Sequence, residues 1–112
     1  MAQHKRNEFE EKDIELADFA RAISHPARLE ILKILSQRNT CICGEIVDVM
    51  PLSQATVSQH LKALKDAGLI QGEIDGPRSC YCLDAKGILK IKKLFENFFG
   101  KLEKCCEKPG RC

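Results

Sequence analysis

The stretch "PLSQATVSQHLKALKDAGLI", residues 51–70, constrains this chain more than any other segment. Ser53 is a strong N-cap, because its hydroxyl can accept a hydrogen bond from an amide of the first turn that has no helical partner. Val57, Leu61 and Leu64 then make one apolar stripe at helical spacing, and Gly68 ends the helix. A helix bounded this tightly has one face to bury. Its other face carries Gln54, Thr56, Ser58, Gln59 and Lys62.

The flanking segments say what that helix packs against. After a polar arm, residues 1–7, the residues Ile14, Leu16, Ala17, Phe19, Ala20 and Ile23 predict a first helix from about Glu8 to Ile23. "SHPARLEILKIL" starts a second, with Pro26 in the first turn, where its missing N–H costs nothing, and His25 as a capping or packing residue. "CICGEIVDVM" predicts a short third helix, stopped at Met50 because Pro51 disfavours helix in the residue before it. "LIQGEIDGPRSCYCLD" reads as two short strands around Asp75-Gly76, a hairpin signal. A last helix, from about Lys86 to about Glu103, carries Ile88, Ile91, Leu94, Phe95, Phe98, Phe99 and Leu102.

At 112 residues this is one domain, expected over residues 8–104 and followed by a cysteine-rich tail, 105–112. No apolar run approaches the ~20 residues that span a bilayer. The first residues also lack an apolar signal core, so the chain reads as cytoplasmic, with no membrane partner.

The element order predicts a mainly α fold with a small β-hairpin wing, a winged helix-turn-helix. The polar face of the fourth helix suits a major groove: Gln and Ser/Thr can bond base edges or phosphate, and Lys favours phosphate. An ordinary solvated helix face would carry similar residues. A net charge of +2 does not separate the two readings, nor do the eight Lys/Arg against three Glu from Lys86 onward.

What separates them is a resemblance. "HPARLEILKIL", the spaced pattern in "LSQATVSQHLKALKDAGLI" and the hairpin with "GPRSCYCL" resemble the ArsR/SmtB family of metalloregulatory repressors, over about Leu16 to Leu102. The resemblance implies a homodimer pairing its first and last helices, with two recognition helices on double-stranded operator DNA and wings touching the backbone. Mapped here, it makes Ser53, Gln54, Thr56, Ser58, Gln59 and His60 reading residues, with Lys62 and Arg78 on phosphate or in the minor groove. His60 has an equal claim to a backbone or inter-helix hydrogen bond.

Seven cysteines, an odd number, argue against a disulfide framework in a reducing compartment and for metal binding or redox sensing. Cys41 and Cys43 fall where the family carries paired metal-binding thiols. Gly44 replaces the family's Asp, and the arm holds no cysteine to complete a cadmium-type site. Zinc-sensing members carry histidine in the last helix, whereas this chain has none after His60. Cys105-Cys106-x5-Cys112 resembles a C-terminal arsenite site of some members.

The tail chemistry fits that resemblance. Thiolates select soft ions, and trivalent arsenic takes three sulfurs in a pyramid. Pro109-Gly110 offers a turn returning Cys112 to the pair, and Lys104, Lys108 and Arg111 favour the thiolate form. Cys80 and Cys82 share one strand face and are expected to pack.

The reading is a homodimeric operator-binding repressor released when arsenite or antimonite binds Cys105, Cys106 and Cys112, with Cys41 and Cys43 as second choice. Three alternatives stand beside it: a thiol-redox or persulfide-responsive repressor pairing Cys41 or Cys43 with Cys105 or Cys106, a cadmium- or zinc-type repressor, and a cytosolic metal-sequestering protein. No cysteine–histidine pairing or phosphate-cradling glycine loop suggests an enzyme or an enzymatic cofactor.

Overall fold

The structure, a computed structural model, describes residues 8–38, 41–43, 46–74 and 79–105. Its elements run α1 (Glu11–Ala22), α2 (Pro26–Arg38), α3 (Ile46–Val49), α4 (Gln54–Asp66), β1 (Ile70–Glu73), β2 (Cys80–Leu83) and α5 (Ala85–Cys105). This is the expected mainly helical chain with an antiparallel two-stranded hairpin. The expected turn at Asp75-Gly76 lies outside the described residues. Among the described residues no helix is long and apolar enough to cross a membrane.

The core lies where α2, α3, α4 and the hairpin meet. Ile31, Leu35, Ile46, Val57, Leu64, Leu69 and Ile70 are essentially without solvent contact. Fully burying such a side chain contributes roughly 1.5–3 kcal/mol, so these few contacts orient α4 against the sheet. His25 caps α2 as expected, its Nδ1 accepting the Ala27 amide at 3.0 Å.

The end of α4 fixes where the hairpin starts. Gly68 takes φ +83°, its N–H donates to the Lys65 carbonyl at 2.9 Å, and Leu69 N–H reaches back to Leu64 at 3.0 Å. This pair of bonds satisfies carbonyls that the helix end would leave open. The chain turns directly into β1, and α5 closes on the same spot. Asp84 donates its amide to the Leu69 carbonyl and caps α5 by accepting the Gly87 amide at 3.2 Å. Gly87 lies so close to the Gly68 carbonyl that a β carbon there would collide with it.

Two expectations need correction. Residues 41–43 are not helical: Ile42 exchanges two backbone hydrogen bonds with Tyr81, at 2.8 and 2.9 Å, adding a short third extended segment beside β2. The helix described in this stretch is Ile46–Val49. Alternation explains it, because Ile42 and Tyr81 each bury one large side chain between two outward cysteines. The last helix also extends through Cys105 instead of stopping at Glu103.

α5 buries none of its residues within the chain. It meets α1 through a Lys90–Glu15 ion pair at 2.7 Å and an apolar groove lined by Leu16, Ala17, Ala20, Phe95 and Phe98. Leu89, Phe98, Phe99 and Leu102 stay exposed.

Candidate nucleic-acid interface and cysteine sites

α4 is held by its inner face and open on its outer one. Val57, His60, Leu61 and Leu64 are buried. At about 100° per residue, Gln59 and Lys62 fall opposite that stripe, and Gln54 and Ser58 flank them. Gln54, Gln59 and Lys62 are exposed, and Thr56 and Ser58 are half-buried. The helix therefore presents amides and hydroxyls around its N-terminal half and the Lys62 ammonium about two turns further on, donors and acceptors suited to base edges and phosphates.

Ser53 and His60 also have partners within the chain. Ser53, exposed at the start of α4, is its N-cap: its Oγ accepts the Thr56 amide at 3.3 Å and donates to the Thr56 hydroxyl at 3.0 Å. His60 points inward. It is 9% exposed, and its Nδ1 accepts the Nε–H of Arg28 at 3.1 Å, while its ring lies 4.5 Å from that of His25. Arg28 Nη1 also donates to the Ala22 carbonyl at 3.1 Å, so the Arg28–His60 bond joins α2 to α4. The inter-helix hydrogen bond that was one of the two claims on His60 is present. Burial, then His25, then Arg28 hold its pKa below the usual 6.5. Arg78 lies outside the described residues.

The cysteines divide differently from the sequence expectation. Cys41 is bonded to Cys82 and Cys43 to Cys80, with Cα separations of 4.3 and 4.0 Å. Cys80 and Cys82 are thus bridged, not merely packed, and Cys41 and Cys43 do not pair with Cys105 or Cys106. The register makes the bridges local. Ile42 and Tyr81 form a hydrogen-bonded pair, so the residues on either side form the closer, non-hydrogen-bonded pairs whose side chains meet. The legible signal was the repeated triplet, Cys-Ile-Cys and Cys-Tyr-Cys, each alternating like a strand with a large apolar residue at its centre.

Cys105 is a free, exposed thiol at the end of α5. Cys106 and Cys112 lie outside the described residues. Among the described residues no group of three or more His, Cys, Asp or Glu side chains is placed to hold a metal ion.

Comparison with known proteins gives a consistent set. The family model described as bacterial regulatory protein, arsR family, matches residues 25–71, from the start of α2 into β1. An uncharacterised HTH-type transcriptional regulator of Methanocaldococcus jannaschii is 33% identical over 87 residues, 77% of this chain and 97% of that protein. An arsenical resistance operon repressor of Staphylococcus xylosus is 36% identical over 70 residues, 62% of this chain and 66% of that protein. A crystal structure of a possible transcriptional regulator for arsenical resistance superposes with a TM-score of 0.64 at 28% identity, covering 73% of this chain and 84% of that one.

Proposed function

Because the chain belongs to the arsR family of bacterial regulatory proteins, DNA-binding transcriptional regulators and not enzymes, we propose that it is a cytoplasmic, homodimeric operator-binding repressor released by trivalent arsenic or antimony. The observation that carries the DNA-binding part is α4: a helix buried along one stripe, capped at its start, with Gln54, Ser58, Gln59 and Lys62 on its open side. Gln54, Ser58 and Gln59 face the bases. Ser53 and Thr56 hold the helix N-terminus, whose dipole favours phosphate. Lys62 and Arg78 take backbone charge.

The dimer forms through α1 and α5. An amphipathic helix with Leu89, Phe98, Phe99 and Leu102 exposed and nothing buried is an unfinished interface. A second copy completes it and sets two α4 helices at the spacing of operator half-sites.

The inducer reading rests on thiol arithmetic. Two disulfides occupy Cys41, Cys43, Cys80 and Cys82, Cys105 is a free, exposed thiol at the end of α5, and the sequence sets Cys106 and Cys112 after it in the tail. Three thiolates match the pyramidal demand of trivalent arsenic, and soft sulfur is the donor such an ion selects. Relatives that share the fold are named as arsenical resistance repressors. Bound at the end of α5, the ion reorganises the helix that pairs the subunits and so shifts the spacing of the two α4 helices. The test is selection of duplexes from a random pool by the protein, followed by competition of the selected operator against random DNA and titration of the complex with arsenite. Equal affinity for selected and random duplexes would remove the reading.

A further inference from the structure

Four of the seven cysteines have no part in operator reading or in the tail, yet the fold assembles them in one place. We propose that Cys41–Cys82 and Cys43–Cys80 form a reversible thiol–disulfide clasp across the DNA-reading unit, which sets operator affinity by the thiol–disulfide state of the cell. The proposal rests on the operator-binding reading above and adds a second signal to it.

The geometry carries it. The segment 41–43 is joined to β2 by a single residue pair, Ile42 with Tyr81, and both side chains are buried, 3% and 2% exposed. Their neighbours must therefore face the other way, and all four cysteines share that outer side of the short sheet. The bridges join residues 41 and 37 positions apart. The loop between Cys43 and Cys80 holds α3, α4 and β1, the whole reading unit apart from β2. The core and the β1–β2 ladder hold the unit together without the bridges, but breaking both leaves the docking of segment 41–43 on β2 to the two Ile42–Tyr81 backbone hydrogen bonds and the burial of those two side chains.

Position and access make the bridges a switch. A protein that works on DNA operates where thiols are kept reduced, and disulfides formed there are usually transient or redox-sensing. Cys41 and Cys43 are exposed and Cys80 and Cys82 half-buried, so small thiols and disulfides can reach them. β2 runs straight through Asp84 into α5. A change at the clasp is thereby felt by the wing and by the dimerising helix together.

The chemistry balances with a low-molecular-weight disulfide such as oxidised glutathione. The thiolate of Cys41 or Cys43 attacks one sulfur of the small disulfide, forming a mixed disulfide and expelling one small thiolate. The cross-strand partner, Cys82 or Cys80, then attacks the protein sulfur as its thiolate, closing the bridge and expelling the second small thiolate. Each bridge passes two electrons to one small disulfide. The two protons leave the protein thiols and end on the two small thiols. Reduction by excess thiol runs the same steps backwards.

The experiment uses the full chain equilibrated in buffers of oxidised and reduced glutathione. Free thiols are alkylated and bridges assigned by peptide mass mapping, and affinity is measured in parallel on a duplex selected by the reduced protein. The expected result is bridges at Cys41–Cys82 and Cys43–Cys80, an operator affinity differing by roughly 5–150-fold between the two forms, and reversal by dithiothreitol. A variant carrying Cys41→Ala, Cys43→Ala, Cys80→Ala and Cys82→Ala should lose the redox response. Thiols that stay free in every buffer, other pairings, equal affinity in the two forms, or a response kept by that variant (which would come from the tail) overturn the clasp alone. Failure of the reduced chain to select any duplex would overturn the operator reading and the clasp with it.

Discussion

The Arg28–His60 contact gives one buried imidazole a structural partner on a distant helix. Accepting the Arg28 Nε–H at Nδ1 requires that nitrogen to be unprotonated. Protonation removes the acceptor and sets an imidazolium against a guanidinium. The folded pKa of His60 therefore lies below its ordinary 6.5, through burial first, then His25 and Arg28. The unfolded chain takes up the proton at the higher value. Stability is full above that value and falls as pH drops from it towards the depressed folded value. Urea unfolding across this window should show the decline, and His60→Gln should flatten it; an unchanged slope in the variant would assign the pH dependence elsewhere. In the sequence, "SQHLK" gave His60 equal claims to a groove and to a neighbouring helix. No local pattern reports Arg28, which lies 32 positions away.

At the scale of elements, the most legible feature was α4. Its cap, stripe and glycine stop are all local signals, and Ser53, Val57, Leu61, Leu64 and Gly68 do in the structure what their types predict. The least legible was the segment at Cys41. A triplet is too short to show whether its period is two or 3.6, and only the distant Tyr81 decides it. The tight crossing of α5 over the end of α4 was equally hidden, since nothing near Gly87 in the sequence reports the Gly68 carbonyl. Gly87→Ala should destabilise the fold by roughly 1–3 kcal/mol, as overpacking does, read as a lower denaturant midpoint; an unchanged midpoint would mean that α5 shifts at no cost. On the open face of α4, Gln54→Ala or Ser58→Ala should each cost roughly 1–3 kcal/mol on the selected operator and relax its sequence preference. Equal losses on operator and random duplexes would place those side chains on backbone only.

At the scale of the whole molecule, the apolar residues of α5 were visible as a helical stripe, and their excess over what one small core needs was the signal for a partner copy. The structure leaves that stripe open beside α1. Sedimentation at micromolar concentration should therefore give a dimer, and Phe98→Glu should shift it to monomer with loss of operator binding; a monomer with full operator affinity would remove the interface. The central claim is that a dimer built this way releases DNA when its tail thiols take an ion. The most direct measurement is arsenite titration of the operator complex with the intact chain and with a chain truncated after Lys104. A phosphine serves as reductant, since a dithiol would itself chelate arsenic. The intact dimer should let go of its operator and the truncated one should hold it, with a coupling of roughly 1–3 kcal/mol lost on truncation. Release of both at the same arsenite concentration would contradict the account and make Cys41 and Cys43, freed of their bridges by the reductant, the arsenic sensor.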